Sequence, residues 1–266
     1  VTRYYEGAGT NITALAVQPD GALWAAAWEA RNLIRFEPAL NGVFSESRVA
    51  KFAPQAAAQI TNLNPAATTA QVPAAIKDQS LAQPMALLPD AERSSLWLAA
   101  FGSDRLAELD SSGAALRRID LRRPGTESTV RGPRGLVKLA HTGHLFVLNK
   151  LSDTLSVVSA NSGAVLAEVP VSSHDPMPAA QREGRGKFFD SRLSGNGAVS
   201  CGTCHLDADN DGMAWDLGDP GGEMLTLTGY AISIGEPWAV DRPAHPMKGP
   251  MVTQSLRGIR GTAPFH

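Results

Sequence analysis

A short apolar strand, a tight polar turn and a second apolar strand recur along the first two-thirds of the chain. Ala14-Leu15-Ala16-Val17 leads through Pro19-Asp20-Gly21 into Leu23-Trp24-Ala25-Ala26; after the polar step Glu29 to Asn32 comes a third strand, Leu33-Ile34-Arg35-Phe36. Met85 to Asp110 repeats the plan with Pro89-Asp90 and Gly102-Ser103-Asp104 as turns, and Leu136 to Ser159 repeats it with His141-Thr142-Gly143 and Ser152-Asp153. A fourth strand follows at Leu116 to Leu121 and at Val165 to Val169, after Ser112-Gly113 and Ser162-Gly163. Repeats of this kind bury apolar faces by stacking on their neighbours. Four antiparallel strands joined by tight turns make one blade of a β-propeller. A generic antiparallel sandwich shares the strand lengths but not the repeated order. Ser45 to Ala53 offers further strands, so residues 1–172 are expected to form a partial β-propeller of about three to four blades. Residues 54–84, rich in Ala, Gln, Thr, Asn and Pro, break the rhythm and read as a long insertion with at most a helical turn.

The pattern changes beyond Ser172, which sets the second domain at residues 173–266. Ala179 to Phe189 has the spacing of a short amphipathic helix, and Asp175-Pro176 supplies its entry signal. Thr253 to Gly258 is a second candidate helix. The rest reads as loop, so this domain is expected to be small and mainly α or loop. At its centre stand the only two cysteines of the chain, in Cys201-Gly202-Thr203-Cys204-His205. Cys-x-x-Cys-His is the attachment signature of a c-type haem. Two thiols on one helical turn can form thioethers to one porphyrin, and the next residue offers an imidazole to the iron. A thioredoxin-like pair would need a βαβ setting. A zinc site would need more thiolates or a spaced histidine pair.

Composition narrows the partners. The 266 residues carry a formal net charge of −2, so no global field attracts nucleic acid. No apolar run is long enough to span a bilayer. No charged-then-apolar leader opens the chain. Cysteine-linked haem belongs to the periplasm or the cell exterior of bacteria, and the sequence is read as a mature form or a fragment.

Residues Glu183 to His266 resemble the first haem domain of the diheme cytochrome c peroxidase family, in the branch fused to a YVTN-type propeller. The resemblance is carried by Gly184-Arg185-Gly186-Lys187-Phe188-Phe189-Asp190, Leu193-Ser194, Val199 to His205, Asp211-Gly212, His245-Pro246-Met247-Lys248-Gly249-Pro250, Ser255-Leu256-Arg257-Gly258 and Pro264-Phe265-His266. It covers the last third of the chain, and Asn149 to Val158 is similar to YVTN-type blades. Such proteins use two haems, one where peroxide reacts and one where electrons enter. This chain has one Cys-x-x-Cys-His, and the resemblance implies a second haem domain in a longer protein.

The resemblance implies one covalent haem c, with Cys201 and Cys204 as attachment points and His205 as proximal ligand. It implies a distal histidine before a Lys-Gly-Pro, where His245 stands; Met247 and Met251 remain alternatives. His266 is a further candidate, Met213 and Met224 are less attractive, and His141, His144 and His174 receive no role. Asp207-Ala208-Asp209-Asn210-Asp211-Gly212 matches the opening of a calcium loop, with Asp207, Asp209 and Asp211 as ligands. Gly218 stands where the closing acidic residue belongs, so a solvated turn competes with calcium.

The expected function is electron transfer through one covalent haem, to or from a redox protein or a small electron donor. The peroxidatic half of a diheme oxidoreductase is the enzymatic alternative. A propeller that binds a ligand with the haem as accessory is a third. Because propellers close with about four to eight blades, more blades are expected upstream and more haem domain downstream.

Overall fold

A computed structural model of the chain describes residues 4–31, 43–54, 56–125, 129–215, 223, 225–227, 230–233, 236–239, 242–244 and 251–258. The fold is mainly β. Three four-stranded antiparallel sheets follow one another in chain order. The first contains β1 (Asn11–Val17), β2 (Leu23–Ala30), β3 (Ser45–Phe52) and β4 (Gln59–Asn62). The second contains β5 (Pro84–Asp90), β6 (Ser95–Ala100), β7 (Arg105–Leu109) and β8 (Ala115–Asp120). The third contains β9 (Pro133–Leu139), β10 (His144–Asn149), β11 (Thr154–Ser159) and β12 (Val165–Pro170). Each strand pairs with the next in sequence, and the first strands β1, β5 and β9 lie side by side. That is the arrangement of consecutive propeller blades, stacked face to face with their first strands innermost.

Alternation of side chains along β6 explains the stacking. Leu96 and Leu98 turn to the first sheet and pack with Trp24, Val49 and Leu63. Trp97 and Ala99 turn to the third and pack with Leu145, Val147 and Val158. A strand buried on both faces needs a continuous apolar run, which Leu96-Trp97-Leu98-Ala99-Ala100 supplies. Polar groups in this seam are matched: Asp90 accepts from Trp97 Nε1 at 3.1 Å and from Lys138 Nζ at 2.7 Å. Glu108 accepts from Arg93, Ser95 and Arg117.

The first unit departs from the sequence expectation. Leu33 to Phe36 lies outside the described residues. The third strand is Ser45–Phe52, which pairs with β2 over its whole length, from Leu23↔Phe52 to Ala30↔Ser45. The insertion 54–84 is more than a loop, since it supplies β4 and a one-turn helix α1 (Ala74–Lys77).

After the third sheet comes α2 (Ala179–Phe189), a helix the sequence predicts, then a 3-10 turn at Ser191–Leu193 and α3 (Cys201–Cys204). The expectation of mainly helix and loop fails beyond this point. Three two-stranded ladders form: β13 (Ala214–Trp215) with β18 (Met251–Val252), β14 (Leu225–Leu227) with β17 (Arg242–Ala244), and β15 (Tyr230–Ser233) with β16 (Glu236–Ala239). Short runs such as Leu-Thr-Leu and Tyr-Ala-Ile-Ser hold strand-favouring residues, which explains the outcome. Nor is Thr253 to Gly258 a helix. Ser255 Oγ accepts from Arg257 N and donates to Asp209 Oδ1, a local side-chain bond that competes with helical pairing. No helix among the described residues is long and apolar enough to cross a membrane.

Candidate haem-attachment site

The Cys-x-x-Cys-His segment sits on α3, a single helical turn held down by the propeller. Phe189 at the end of α2 packs against Gly202, where a Cβ would lie 2.2 Å from Phe189 Cδ1. Ser200 N donates to Thr203 Oγ1 at 2.9 Å and fixes the start of the turn. Gln83, just before β5, donates from Nε2 to Ser200 Oγ (3.1 Å) and to Thr203 Oγ1 (3.3 Å). The ring of His205 stands 6.1 Å from that of Phe188, which is edge-on to Phe189, which is edge-on to Phe101 of the second blade.

Cys201 and Cys204 are both free thiols, the first exposed and the second half-buried. Burial, with smaller contributions from Asp211 and Cys201, pushes the Cys204 thiol up to about 12. His205 Nδ1 donates to the Asp209 carbonyl at 3.0 Å. This fixes the proton on Nδ1 and leaves Nε2 as the basic nitrogen, the arrangement an iron-ligating imidazole uses. The residues therefore fit a haem c: two reduced thiols on one turn and an oriented imidazole next to them.

Three further anchors join this segment to the blades. Asp104, fully buried at a left-handed backbone position, accepts from Arg131 N and Gly132 N at 2.9 Å and faces Arg192 Nη2 at 3.3 Å. Ser191 Oγ donates to the Gly102 carbonyl at 2.6 Å. Arg134 of β9 grips Asp207 with both terminal nitrogens, one at 2.9 Å, and Lys150 adds a contact at 3.5 Å. The Arg134 guanidinium holds the Asp207 carboxyl down at about 2, against the upward push of partial burial.

The three candidate calcium ligands do not converge. Asp207 is committed to Arg134, Asp209 to Arg257 and Ser255, and Asp211 to Met213 N and Trp215 Nε1. Among the described residues no group of three or more histidines, cysteines or acidic residues is arranged to hold a metal ion. Met251 pairs with Trp215 through β18, and its side chain is half exposed. His245, Met247 and His266 lie outside the described residues.

Gln83, Asp104, Arg134 and Arg192 escaped the sequence reading. The signal for Gln83 was a polar residue set between Leu81-Ala82 and Pro84-Met85; the others carried none.

No protein family and no curated protein matches the chain. Among solved structures it is similar to a virginiamycin B lyase from Staphylococcus aureus, at 12% identity over 60% of this chain and 41% of that one, TM-score 0.39. It is also similar to a hydrazine synthase from Kuenenia stuttgartiensis, at 14% identity over 56% of this chain and 45% of that one, TM-score 0.40. A nidogen/laminin complex is similar at 13% identity over 60% of this chain and 47% of that one, TM-score 0.39. The chain spans less than half the length of each, and the blade assignment rests on its own hydrogen-bonded strand order.

Proposed function

We propose that this is a c-type cytochrome module docked on propeller blades, transferring single electrons through one haem linked to Cys201 and Cys204. The observation that carries the reading is the state of the motif. Both thiols are free on one helical turn, and the His205 imidazole is oriented through Nδ1 with Nε2 left basic. Bound there, the haem supplies a one-electron iron couple. The chain's own part is mechanical and electrostatic. Cys201 and Cys204 tether the ring, His205 offers Nε2, and the Asp209 carbonyl keeps that ring from rotating. Gln83, Phe189 and Arg134 hold the turn on the blades, which limits reorganisation when charge changes.

His245 is the proposed distal ligand, on its position before Lys248-Gly249-Pro250, with Met247 and Met251 as the alternatives. After expression with a cytochrome c maturation system, a six-coordinate low-spin spectrum that ignores peroxide supports electron transfer. High-spin character with peroxide reactivity supports the peroxidatic half instead. His245→Gly should convert low-spin to high-spin or admit cyanide, while Met251→Ala should leave the spectrum unchanged. A spectrum altered by the methionine change alone moves the ligand to Met251. Secretion to the periplasm or the exterior follows from this chemistry.

A further inference from the structure

The first and third blades each keep an apolar face that is open among the described residues. Leu145 and Val147 of β10 turn to the second blade, so Phe146 and Leu148 turn away. Cross-strand partners share a face, which sets Val137, Leu155 and Val157 beside them and Val169 next to Leu155. In the register of the four strands this face carries no Asp, Glu, Lys or Arg. The second blade has the same positions, with Trp97, Ala99 and Leu106 where the third has Phe146, Leu148 and Leu155. There the third blade buries them completely. In the third blade Leu148 is 44% exposed, Val137 57% and Val169 46%. It repeats a stacking face, and among the described residues nothing stacks on it.

The first blade offers the matching face. Trp24 of β2 packs towards the second blade, so Leu23 and Ala25 turn away, with Leu15, Val17, Phe52 and Ile60 beside them by register. Leu15 and Val17 are exposed. Glu29, Glu46 and Arg48 share the face and pair with one another. The segment leading into β1 already lies on it: Ala8 packs with Ala25, Ala50 and Phe52, and the Tyr5 ring stands 5.0 Å from that of Phe52. Between the first two blades a lead-in residue holds the same place, where Leu81 packs among Trp24, Val49, Leu96 and Leu98.

Each existing seam also has a side chain of the earlier unit that clamps the lead-in of the later one. Asn64 Oδ1 accepts from Leu81 N at 2.7 Å, and Asp104 Oδ1 accepts from Arg131 N and Gly132 N at 2.9 Å. Asp153 is the repeat of Asp104. Both are left-handed, and the backbone carbonyl of each accepts from the residue after the fourth strand, Leu121 N or Val171 N. The Asp153 carboxylate is partly exposed and has no partner among the described residues.

We propose that the open face of the third blade docks the open face of the first blade of a second copy of this chain, with Asp153 accepting from backbone N–H groups of that copy's lead-in segment. The contact joins two different faces, so the assembly is head-to-tail and either closes or polymerises. Two copies of three blades make six, inside the range of about four to eight at which propellers close, and three copies make nine, outside it. The pair therefore closes through two identical seams about a two-fold axis, and the second copy supplies the blades that closure needs. None of this rests on the haem reading.

The test is sedimentation equilibrium of the full holoprotein over a range of concentrations. Twice the chain mass is expected, with no larger species. The double variants Val137→Glu, Leu148→Glu and Leu15→Glu, Val17→Glu should each give single chains. A mixture of the two should recover a heterodimer through the one seam left intact. Asp153→Ala should raise the dissociation constant about tenfold, the effect of losing a hydrogen bond to a charged group. Leu193→Glu, at an exposed leucine on neither face, should leave the mass unchanged. Circular dichroism checks that each variant is folded. A single-chain mass at every concentration, species that grow beyond the dimer, a dimer that survives Leu15→Glu, Val17→Glu, a dissociation constant indifferent to Asp153→Ala, or loss of the dimer in Leu193→Glu each overturns the proposal.

Discussion

Gly202 has no room for a side chain, because a Cβ there would run into the Phe189 ring and approach the Gln83 amide at 3.3 Å. Gly202→Ala should therefore lift α3 from the blade and destabilise the chain by about 1–3 kcal/mol, the usual cost of overpacking. Chemical unfolding followed by tryptophan fluorescence would read it, and an unchanged midpoint would contradict the packing. Gln83 works at longer reach, joining Ser200 across 117 residues of sequence. Asp207 adds a test in pH. Its folded carboxyl sits at about 2, against an ordinary value near ~3.9. A depressed carboxyl gives stabilisation that is complete above about pH 4 and lost as pH falls towards about 2. Hydrogen-exchange protection at residues 205–209 should stay level down to about pH 4 and decline below it. Arg134→Ala should lower the protection at neutral pH and flatten the decline. Protection that declines between pH 6 and 5 would contradict the assignment.

At the scale of elements, the second and third blades were legible because their strands are apolar runs closed by Asp, Gly and Ser turns. β6 and β10 fall where Leu96 to Phe101 and Leu145 to Asn149 predict them, except that Phe101 begins a 3-10 turn. The first blade was harder. Its third strand, Ser45-Glu46-Ser47-Arg48-Val49-Ala50, hides its buried face behind small polar residues, and Ser45 and Ser47 are both buried. Ladders of two to four residues after Trp215 carry too little periodicity to register. The motif on α3 was legible because its residue types and spacing are contiguous in the sequence. Its clamps depend on contacts between distant segments, so single-sequence patterns do not show them. A comparison of substitutions tests the blade stacking. Leu145→Ala, fully buried between the second and third blades, should cost about 2–5 kcal/mol. Leu148→Ala lies three residues on, on the far face of the third sheet, where its neighbour Val137 is also exposed. In the single chain it should cost well under half as much, and equal costs would mean that this face is covered there.

On the scale of the molecule, the blades form the base on which the Cys201–Cys204 turn and the segment around it are held. Asp104 with Arg192, Arg134 with Asp207, and Phe101 with Phe189 tie the two together at separate points. This spread explains why a loop-rich segment can hold the Cys201–Cys204 turn in one orientation. The central claim is the covalent haem, and intact-mass measurement of protein matured with the cytochrome c machinery tests it most directly. The account predicts the chain mass plus one haem, and the bare chain mass when Cys201 and Cys204 are both changed to alanine. A bare mass for the unaltered protein, or an attached haem that survives the double change, would contradict it.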